Sequence, residues 1–162
     1  MTEEQGQDRE EWGWVVRDRI AKLEALRERG VEPYAYSFDR THSAAEALAL
    51  LGEGMEEGET VRVAGRLVAL RNMGKSTFVH LADRSGRIQA YFRINDLGAE
   101  TYSLLDLLDL GDWIGVEGPV FRTRTGEVTV RVERFQPLAK AVRPLPLGKE
   151  EVDPETGERR VH

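Results

Sequence analysis

The segment RNMGKSTFVHLADRSGRIQAYF, residues 71–92, contains two runs in which apolar and polar residues alternate. Residues 78–81 (FVHL) and 88–92 (IQAYF) both have the two-residue period of a β-strand that buries one face. Ser85-Gly86 between them is a typical hairpin turn. The segment therefore predicts a β-hairpin whose outer face carries aromatic and polar side chains rather than charged ones alone.

The same two-residue period extends on both sides of this hairpin, from residue 59 to residue 137. We predict five strands, at about 60–71, 76–83, 86–93, 112–121 and 127–137. Between the third and fourth strands, Tyr102, Leu105 and Leu108 fall on one helical face. Five strands with a helix in this place are typical of the OB-fold, a mainly β, five-stranded Greek-key barrel. Gly65 inside the first strand predicts a bulge or a sharp bend.

Helical patterns precede the predicted barrel, and a polar tail follows it. A helix is predicted over 9–29, with Trp12 and Trp14 packed beneath it, and a second helix begins at the capping box of Ser43 and Glu46. Residues 140–162 are rich in proline and charge, and residues 147–162 are predicted to be a linker or an inserted, solvated loop. The predicted division is a helical extension (1–58), the barrel (59–146) and this linker.

Composition excludes several classes of function. The chain has no cysteine, and its three histidines lie far apart, so neither disulfides nor a metal site are predicted. It has no apolar run of the ~20 residues that span a bilayer and no signal-peptide core, so a cytoplasmic protein without membrane contact is expected. The net charge is −6, but residues 60–145 carry 13 Lys and Arg against 9 Asp and Glu. This mildly basic centre is compatible with phosphate contact.

Phe78 and Gln89 are the central candidates for a binding site. Their parity places them on the outer face of strands two and three, which is the usual binding surface of an OB-fold. A single-stranded base can stack on an exposed ring, and the amide offers both a donor and an acceptor to the edge of a uracil. The alternative, which composition leaves equally open, is that Phe78 packs under a loop or helix and that Gln89 is merely solvated.

Further candidates surround these two. Arg71 can donate to a base carbonyl or a phosphate, provided that a bulge does not change its parity. Glu127 can accept a hydrogen bond from a base, or else form a surface ion pair with Arg122 or Arg124. Lys75 is either solvated or in contact with phosphate. The other candidates for RNA contact are His80, Arg87, Tyr91, Arg122 and Arg124.

Four stretches together resemble the N-terminal anticodon-binding domain of class II lysyl-tRNA synthetases of the bacterial type. They are KLEALRERGVEPYAYSFDRTHSA (22–44), VAGRLVALRNMGKSTFVHLADRSGRIQAYF (63–92), LGDWIGVEGPVFRTRTGEVTV (110–130) and LAKAVRPLP (138–146). The resemblance covers roughly residues 17–146. The Met-Gly-Lys turn at 73–75 and the Arg-Pro-Leu-Pro exit at 143–146 separate it from the related aspartyl and asparaginyl enzymes.

The resemblance implies a partner, the anticodon loop of a tRNA, and a role for four residues. Phe78 would stack on the central anticodon uridine, Gln89 and Arg71 would read its edge, and Glu127 would contact a neighbouring base. The central uridine is shared by the lysine, asparagine and aspartate anticodons, so these contacts alone do not select lysine.

In this family, the catalytic domain follows the anticodon-binding domain. It binds lysine, ATP and Mg²⁺, and through it the enzyme forms homodimers. Residues 1–162 carry none of its motifs, so no cofactor and no catalytic residue are expected in this segment. Two other functions are weighed against anticodon recognition: a free-standing single-strand-binding OB module and a protein-interaction module. The first should carry several aromatics along its groove, and the second a contiguous apolar patch.

Overall fold

The computed structural model describes residues 3–34, 37–141 and 150–161, with the side chains of 3–12, 150 and 161 left out. The Arg-Pro-Leu-Pro exit at 143–146 lies outside these ranges. The helices are α1 (Glu3–Glu28), α2 (Ala44–Leu48), α3 (Ile94–Leu97) and α4 (Ala99–Ser103), with a 3-10 turn at Leu104–Leu107. None of the helices in the described ranges is long and apolar enough to cross a bilayer.

Five strands close into a ring. The strands are β1 (Glu57–Asn72), β2 (Ser76–Ala82), β3 (Arg87–Arg93), β4 (Trp113–Arg122), β5 (Val128–Arg131), β6 (Arg134–Ala139), β7 (Glu150–Val152) and β8 (Arg159–Val161). The ring runs β1–β2–β3–β5–β4 and returns to β1, with β3 and β5 parallel and the other neighbours antiparallel. Closure leaves these strands few open edges. The predicted five-stranded OB barrel is confirmed.

The barrel interior is aliphatic, as the period-two pattern requires. Alternate residues of each strand point inward and are buried, among them Val61, Val63, Val79, Leu81, Ile88, Ala90, Phe92, Ile114, Val116 and Val130. Tyr102, Leu105 and Leu108 are buried against this core, as predicted. The helix between strands three and four is broken, however, because Gly98 adopts a positive φ of 83° between α3 and α4.

The predicted fifth strand is divided into β5 and β6. β5 pairs with the end of β4 and β6 with its beginning. At the break the Arg131 carbonyl oxygen approaches Gly118 so closely that a Cβ there would collide with it. The backbone N–H of Glu133 donates to the Glu117 carbonyl oxygen at 2.8 Å in the same region. A glycine in β4 thus allows the fifth strand to kink and cover the whole length of β4.

A bulge in β1 decides which way Arg71 faces. Of the two alternatives predicted for Gly65, the bulge is wrong, since Gly65 pairs regularly with β4. The pairing of β1 with β2 instead skips Val68. Leu67, before the skip, is buried in the barrel, and without the skip Arg71 would share its inward parity. With the skip, Arg71 lies opposite Phe78 on the outer face.

Helix α1 begins at Glu3, six residues before the predicted start, and packs against the 3-10 turn at Leu104–Leu107, with Leu23 and Leu26 buried. Trp14 is 65% exposed, so the prediction that it packs beneath the helix is wrong. The side chain of Trp12 lies outside the described residues. Apolar spacing alone cannot tell which face of a long helix a short barrel will cover.

A buried ion cluster ties α1 to the end of the barrel. The Lys140 ammonium, fully buried, donates to Asp109 at 2.7 Å and to Asp112 at 2.8 Å, and Lys22 of α1 donates to Asp109 at 2.8 Å. Burial alone would raise the pKa of Asp109, but the Lys140 and Lys22 ammoniums outweigh it and hold the pKa below its usual value. At Asp112 burial is the stronger influence and raises the pKa.

Helix α2 is capped twice. Ser43 and Glu46 form the predicted capping box. The Asp83 carboxylate accepts hydrogen bonds from the backbone N–H of Ala44 at 2.8 Å and from the N–H and hydroxyl of Ser85 at 2.7 and 2.6 Å. Asp83 therefore fastens the β2–β3 turn to the start of α2. Burial, the largest influence, would raise the pKa of Asp83, but these hydrogen bonds together lower it.

The variant Asp83→Asn is expected to lose about 1 kcal/mol of stability at pH 7, because hydrogen bonds to a charged acceptor are stronger than those to a neutral one. The lowered pKa means that this stability is present above the unfolded-state pKa of about 3.9 and is lost as pH falls through the folded-state value. Urea unfolding at pH 7 and pH 2 should show the difference between variant and parent shrinking at low pH. The exposed carboxylate of Asp106 provides a control, and an equal loss at both pH values would contradict the prediction.

The part of the tail that the structure describes, residues 150–161, is not an irregular loop. Within 150–161, strands β7 and β8 form a hairpin, and Arg159 and Arg160 of β8 lie opposite Leu70 and Ala69 of β1. The expectation of a solvated loop is therefore wrong for these residues. The division of the chain at 1–58, 59–146 and 147–162 stays a prediction.

Candidate nucleic-acid interface

A cleft of about 700 Å³ lies on the outer face of β2 and β3, between the β1–β2 and β4–β5 turns. Seven residues predicted from the sequence line it: Arg71, Phe78, His80, Gln89, Tyr91, Arg124 and Glu127. Met73, Phe121, Thr123, Thr125 and Glu158 complete the lining. The barrel thus brings together most of the candidate residues, from three strands and one loop.

Phe78 faces the cleft and not a helix. The ring is half-buried and stacks on Tyr91 of β3, with centroids 4.4 Å apart and planes at 14°. The Arg71 guanidinium of β1 lies 5.3 Å from the centroid of the Phe78 ring. Because β1 and β3 flank β2 on opposite sides, the two neighbours approach the ring from opposite sides. The structure therefore adds a feature that the sequence did not predict: both faces of the ring are occupied.

Among the described residues, Arg71 makes two weak side-chain contacts. Besides the Phe78 ring, its Nη2 donates to the Met73 sulfur at 3.4 Å, and sulfur is a weak acceptor. Its Nε is buried and, among the described residues, has no hydrogen-bond partner. A buried donor without a hydrogen-bond partner raises the free energy of the folded protein. Binding an oxygen acceptor would therefore stabilise this guanidinium.

Gln89 is oriented by a threonine of the parallel strand beside it. Thr129 of β5 lies opposite Gln89 of β3, and its hydroxyl donates to Gln89 Oε1 at 2.9 Å. The carbonyl end of the amide is thus turned toward β5. From the sequence, both the donor and the acceptor of the Gln89 amide were expected to be available to a base, and in the structure the acceptor already accepts one hydrogen bond.

Glu127 lies at the open edge of the cleft, where its Oε1 is 3.0 Å from His80 Nε2. The predicted alternative was an ion pair with Arg122 or Arg124, but among the described residues the side chain that Glu127 contacts is His80 instead. His80 and Glu127 therefore close one end of the cleft as a polar pair.

Three candidate residues do not line the cleft. The Arg122 guanidinium donates to the carbonyl oxygens of Leu51, Gly52, Met55 and Gly126, which ties β4 to the chain before β1. Lys75 is exposed in the β1–β2 turn, and Arg87 begins β3 at the opposite end from this turn. The hydrogen bonds of the Arg122 side chain thus stabilise the fold.

Two residues at or beside the cleft, Thr129 and Glu158, were not predicted from the sequence. Thr129 was detectable, because it alternates with Val128 and Val130 in the predicted fifth strand. Glu158 was not, because it reaches the cleft only through the docking of the β7–β8 hairpin on β1. Within the described ranges, no group of three or more His, Cys, Asp or Glu residues is arranged to hold a metal ion.

With this geometry established, comparison with known proteins identifies the domain. Residues 61–138 match the model of the tRNA anti-codon family, an OB-fold nucleic acid binding domain. These residues belong to that family. The match covers every strand of the closed ring, although β1 begins a few residues earlier.

The full relatives are longer enzymes. The chain is 49% identical over 132 residues to the lysine–tRNA ligase of Pelotomaculum thermopropionicum, which is 82% of this chain and 26% of that protein. It is 46% identical over 139 residues to the lysine–tRNA ligase of Carboxydothermus hydrogenoformans, covering 86% and 28%. It is 45% identical over 151 residues to the lysine–tRNA ligase of Enterococcus faecalis, and this match covers 90% of the chain and 30% of that protein. The chain thus spans less than a third of these relatives, and the resemblance found in the sequence is confirmed.

Proposed function

We propose that this chain recognises the anticodon loop of a tRNA with a central uridine, as the N-terminal domain of a lysine–tRNA ligase. The observation that carries the proposal is the cleft in which Phe78, Gln89 and Arg71 meet on the outer face of the barrel. An aromatic ring, an amide and a guanidinium are the groups that read an unstacked base by its face and its edge.

The incoming base takes the place of Arg71 beside the Phe78 ring. A cation–π contact at an exposed site contributes about 0.5–1 kcal/mol, whereas an aromatic pair contributes about 0.5–1.5 kcal/mol beyond the area that it buries. Arg71 is the neighbour that we expect to move, because its buried Nε has no hydrogen-bond partner among the described residues and gains one when it leaves the ring, whereas separating Phe78 from Tyr91 breaks a stacked pair without any such gain. The released guanidinium can then donate to a base carbonyl or a phosphate, which also gives its Nε an acceptor.

The remaining cleft residues take supporting roles in this proposal. Gln89 donates to the edge of the base, and Glu127 accepts from a neighbouring base at the other end of the cleft. Arg124 and Lys75, on the two turns that border the cleft, contact phosphates. Arg122 is left out of the proposed contacts because its guanidinium is bound to four carbonyl oxygens of the chain.

The parent enzyme, by the same proposal, activates lysine with ATP and Mg²⁺ and transfers it to the tRNA. We expect those steps, and a homodimer contact, to belong to the part of the parent enzyme beyond the region that this chain matches. Such an enzyme acts in the cytoplasm, where tRNA is charged. The OB domain increases the affinity and the selectivity of tRNA binding.

Binding to anticodon stem-loops tests the proposal. Four stem-loops that differ only in the central loop base, U, C, A or G, are titrated against the protein by fluorescence anisotropy at several salt concentrations. We expect the U-centred loop to bind most tightly and its affinity to fall with salt, because phosphate contacts release counterions. Equal affinity for all four loops would overturn the proposal and indicate a general single-strand-binding module.

The variant Gln89→Ala is expected to reduce the preference for uridine over cytidine, because the amide is the group in the cleft that meets the base edge. The loss should be about 1–3 kcal/mol of discrimination, the cost of leaving a buried polar group without its hydrogen-bond partner. The measurement is the ratio of the dissociation constants for the U- and C-centred loops. Gln136→Ala, an exposed amide of β6 outside the cleft, is the matched control. A Gln89→Ala ratio equal to that of the parent would contradict the prediction.

A further inference from the structure

Thr129 is the buried neighbour of the proposed base-reading amide. Its side chain is fully buried in β5, and its hydroxyl lies near two oxygens, Gln89 Oε1 at 2.9 Å and the Glu127 carbonyl at 3.2 Å. A hydroxyl has one hydrogen to donate, so only one of these oxygens can receive a full hydrogen bond at a time.

The hydrogen goes to Gln89. The Glu127 carbonyl oxygen already accepts from the backbone N–H of Thr123 at 3.0 Å, whereas the Thr129 hydroxyl is the donor to Gln89 Oε1 and also lies closer to it. The opposite orientation of the amide would place its NH₂ group against the hydroxyl, which would then accept from Gln89 and donate to the Glu127 carbonyl oxygen at the longer distance of 3.2 Å. With Oε1 held by β5, the NH₂ group of Gln89 is the part of the amide presented to the cleft.

We propose that Thr129 is a specificity-determining positioning residue, which fixes the Gln89 amide with its donor face toward the base. The inference rests on the proposed function and deepens it. A donor in this place matches a carbonyl oxygen, which uracil carries at C4, and is mismatched with the amino group that cytosine carries there. A site built to pair a base edge rejects a base that leaves its polar groups unpaired. The selectivity for uridine thus depends on a residue that does not line the cleft.

The test compares Thr129→Val with Thr129→Ser. Valine has nearly the shape of threonine without the hydroxyl, and serine keeps the hydroxyl without the methyl group. We expect Thr129→Val to reduce the ratio of the C-loop to the U-loop dissociation constant by about tenfold, within the range for one base contact, and Thr129→Ser to keep most of it. The double variant Thr129→Val/Gln89→Ala should have the same ratio of the two dissociation constants as Gln89→Ala alone, since both changes remove the same preference for uridine.

A structural role alone would give a different pattern. A fold defect in Thr129→Val would weaken binding of both loops equally and leave their ratio unchanged, and that outcome overturns the inference. Thermal melting of each variant establishes that the compared proteins are folded. A Thr129→Ser variant that loses the discrimination as fully as Thr129→Val also overturns it, because the hydroxyl would then not be the deciding group.

A second measurement needs no RNA. In the free protein labelled with ¹⁵N, the Gln89 side-chain NH₂ should show strong nuclear Overhauser contacts to cleft residues and weak ones to the Thr129 methyl group. Strong contacts to that methyl group would mean that the amide is turned the other way, which overturns the inference. If the parent protein shows no preference for the U-centred loop, the proposed function fails, while this measurement still decides the orientation of the amide.

Discussion

Replacing Lys140 by methionine is expected to lower the free energy of unfolding by about 3–5 kcal/mol, the cost of leaving buried charges without a partner. Methionine fills much of the same volume but cannot neutralise Asp109 or Asp112, whose side chains are almost fully buried. Lys22 still reaches Asp109, so the uncompensated charge falls mainly on Asp112. The loss is expected to shrink as pH falls, because protonation of Asp112 removes that charge.

Urea unfolding followed by circular dichroism at pH 7 and pH 5 measures this effect. Lys22→Met is the matched control, since Lys22 contacts the same Asp109 from a partly exposed position, and it should cost much less. The double variant Lys140→Met/Asp112→Asn should recover part of the loss, because the second change removes the unpaired charge. A Lys140→Met variant as stable as Lys22→Met at pH 7 would show that the cluster does not behave as a buried ion network.

The barrel could be predicted because its sequence signals are local. Alternation of apolar and polar residues requires no knowledge of the partner strand, and turns such as Ser85-Gly86 are specified by the residues that form them. The capping box at Ser43 is equally local and was found for the same reason. The OB topology then followed from the number and order of the elements.

The rest of the fold depends on contacts between distant residues. Asp109, Asp112 and Lys140 meet across 28 to 31 residues, and nothing in their spacing announces a shared site. No residue type at Val68 indicates the bulge that the structure has there. Gly65, which led to the prediction of a bulge, is a glycine for a different reason: a Cβ at this position would lie 3.0 Å from Leu81 Cβ. The β7–β8 hairpin is polar, and no apolar period marked it as part of the sheet.

The candidate site, like the fold, was predicted where its signal is local and missed where it depends on distant contacts. Strand parity placed Phe78 and Gln89 on one surface, and the structure places them in one cleft. Parity does not show what the neighbouring strands place beside a side chain. The contacts of Tyr91 and Arg71 with the Phe78 ring, and of Thr129 with Gln89, arise from the register of β1 and β5 with the hairpin and became visible only in the structure.

Replacing Phe78 by alanine is expected to weaken binding of the U-centred stem-loop by about 1–3 kcal/mol, or a factor of about 5 to 150 in Kd, the usual contribution of one base stacked on an aromatic ring. The ring is half-buried at the surface of the barrel and contributes no packing inside it, so the folded state should persist. The measurement is anisotropy titration of the U-centred loop, with thermal melting of the same sample.

Phe38→Ala is the matched control for the loss of an aromatic ring. Phe38 packs on Gly115 and beside Arg62, outside the cleft, so its removal should lower the melting temperature without changing the affinity of the folded protein. If Phe78→Ala behaves like this control, with a lower melting temperature and normal affinity, the ring supports the fold and the site is misplaced. Loss of the ring also leaves Arg71 without its cation–π contact. The guanidinium is then freer to bind phosphate, so the variant should keep a weak, salt-sensitive affinity that no longer distinguishes the central base as well as the parent does.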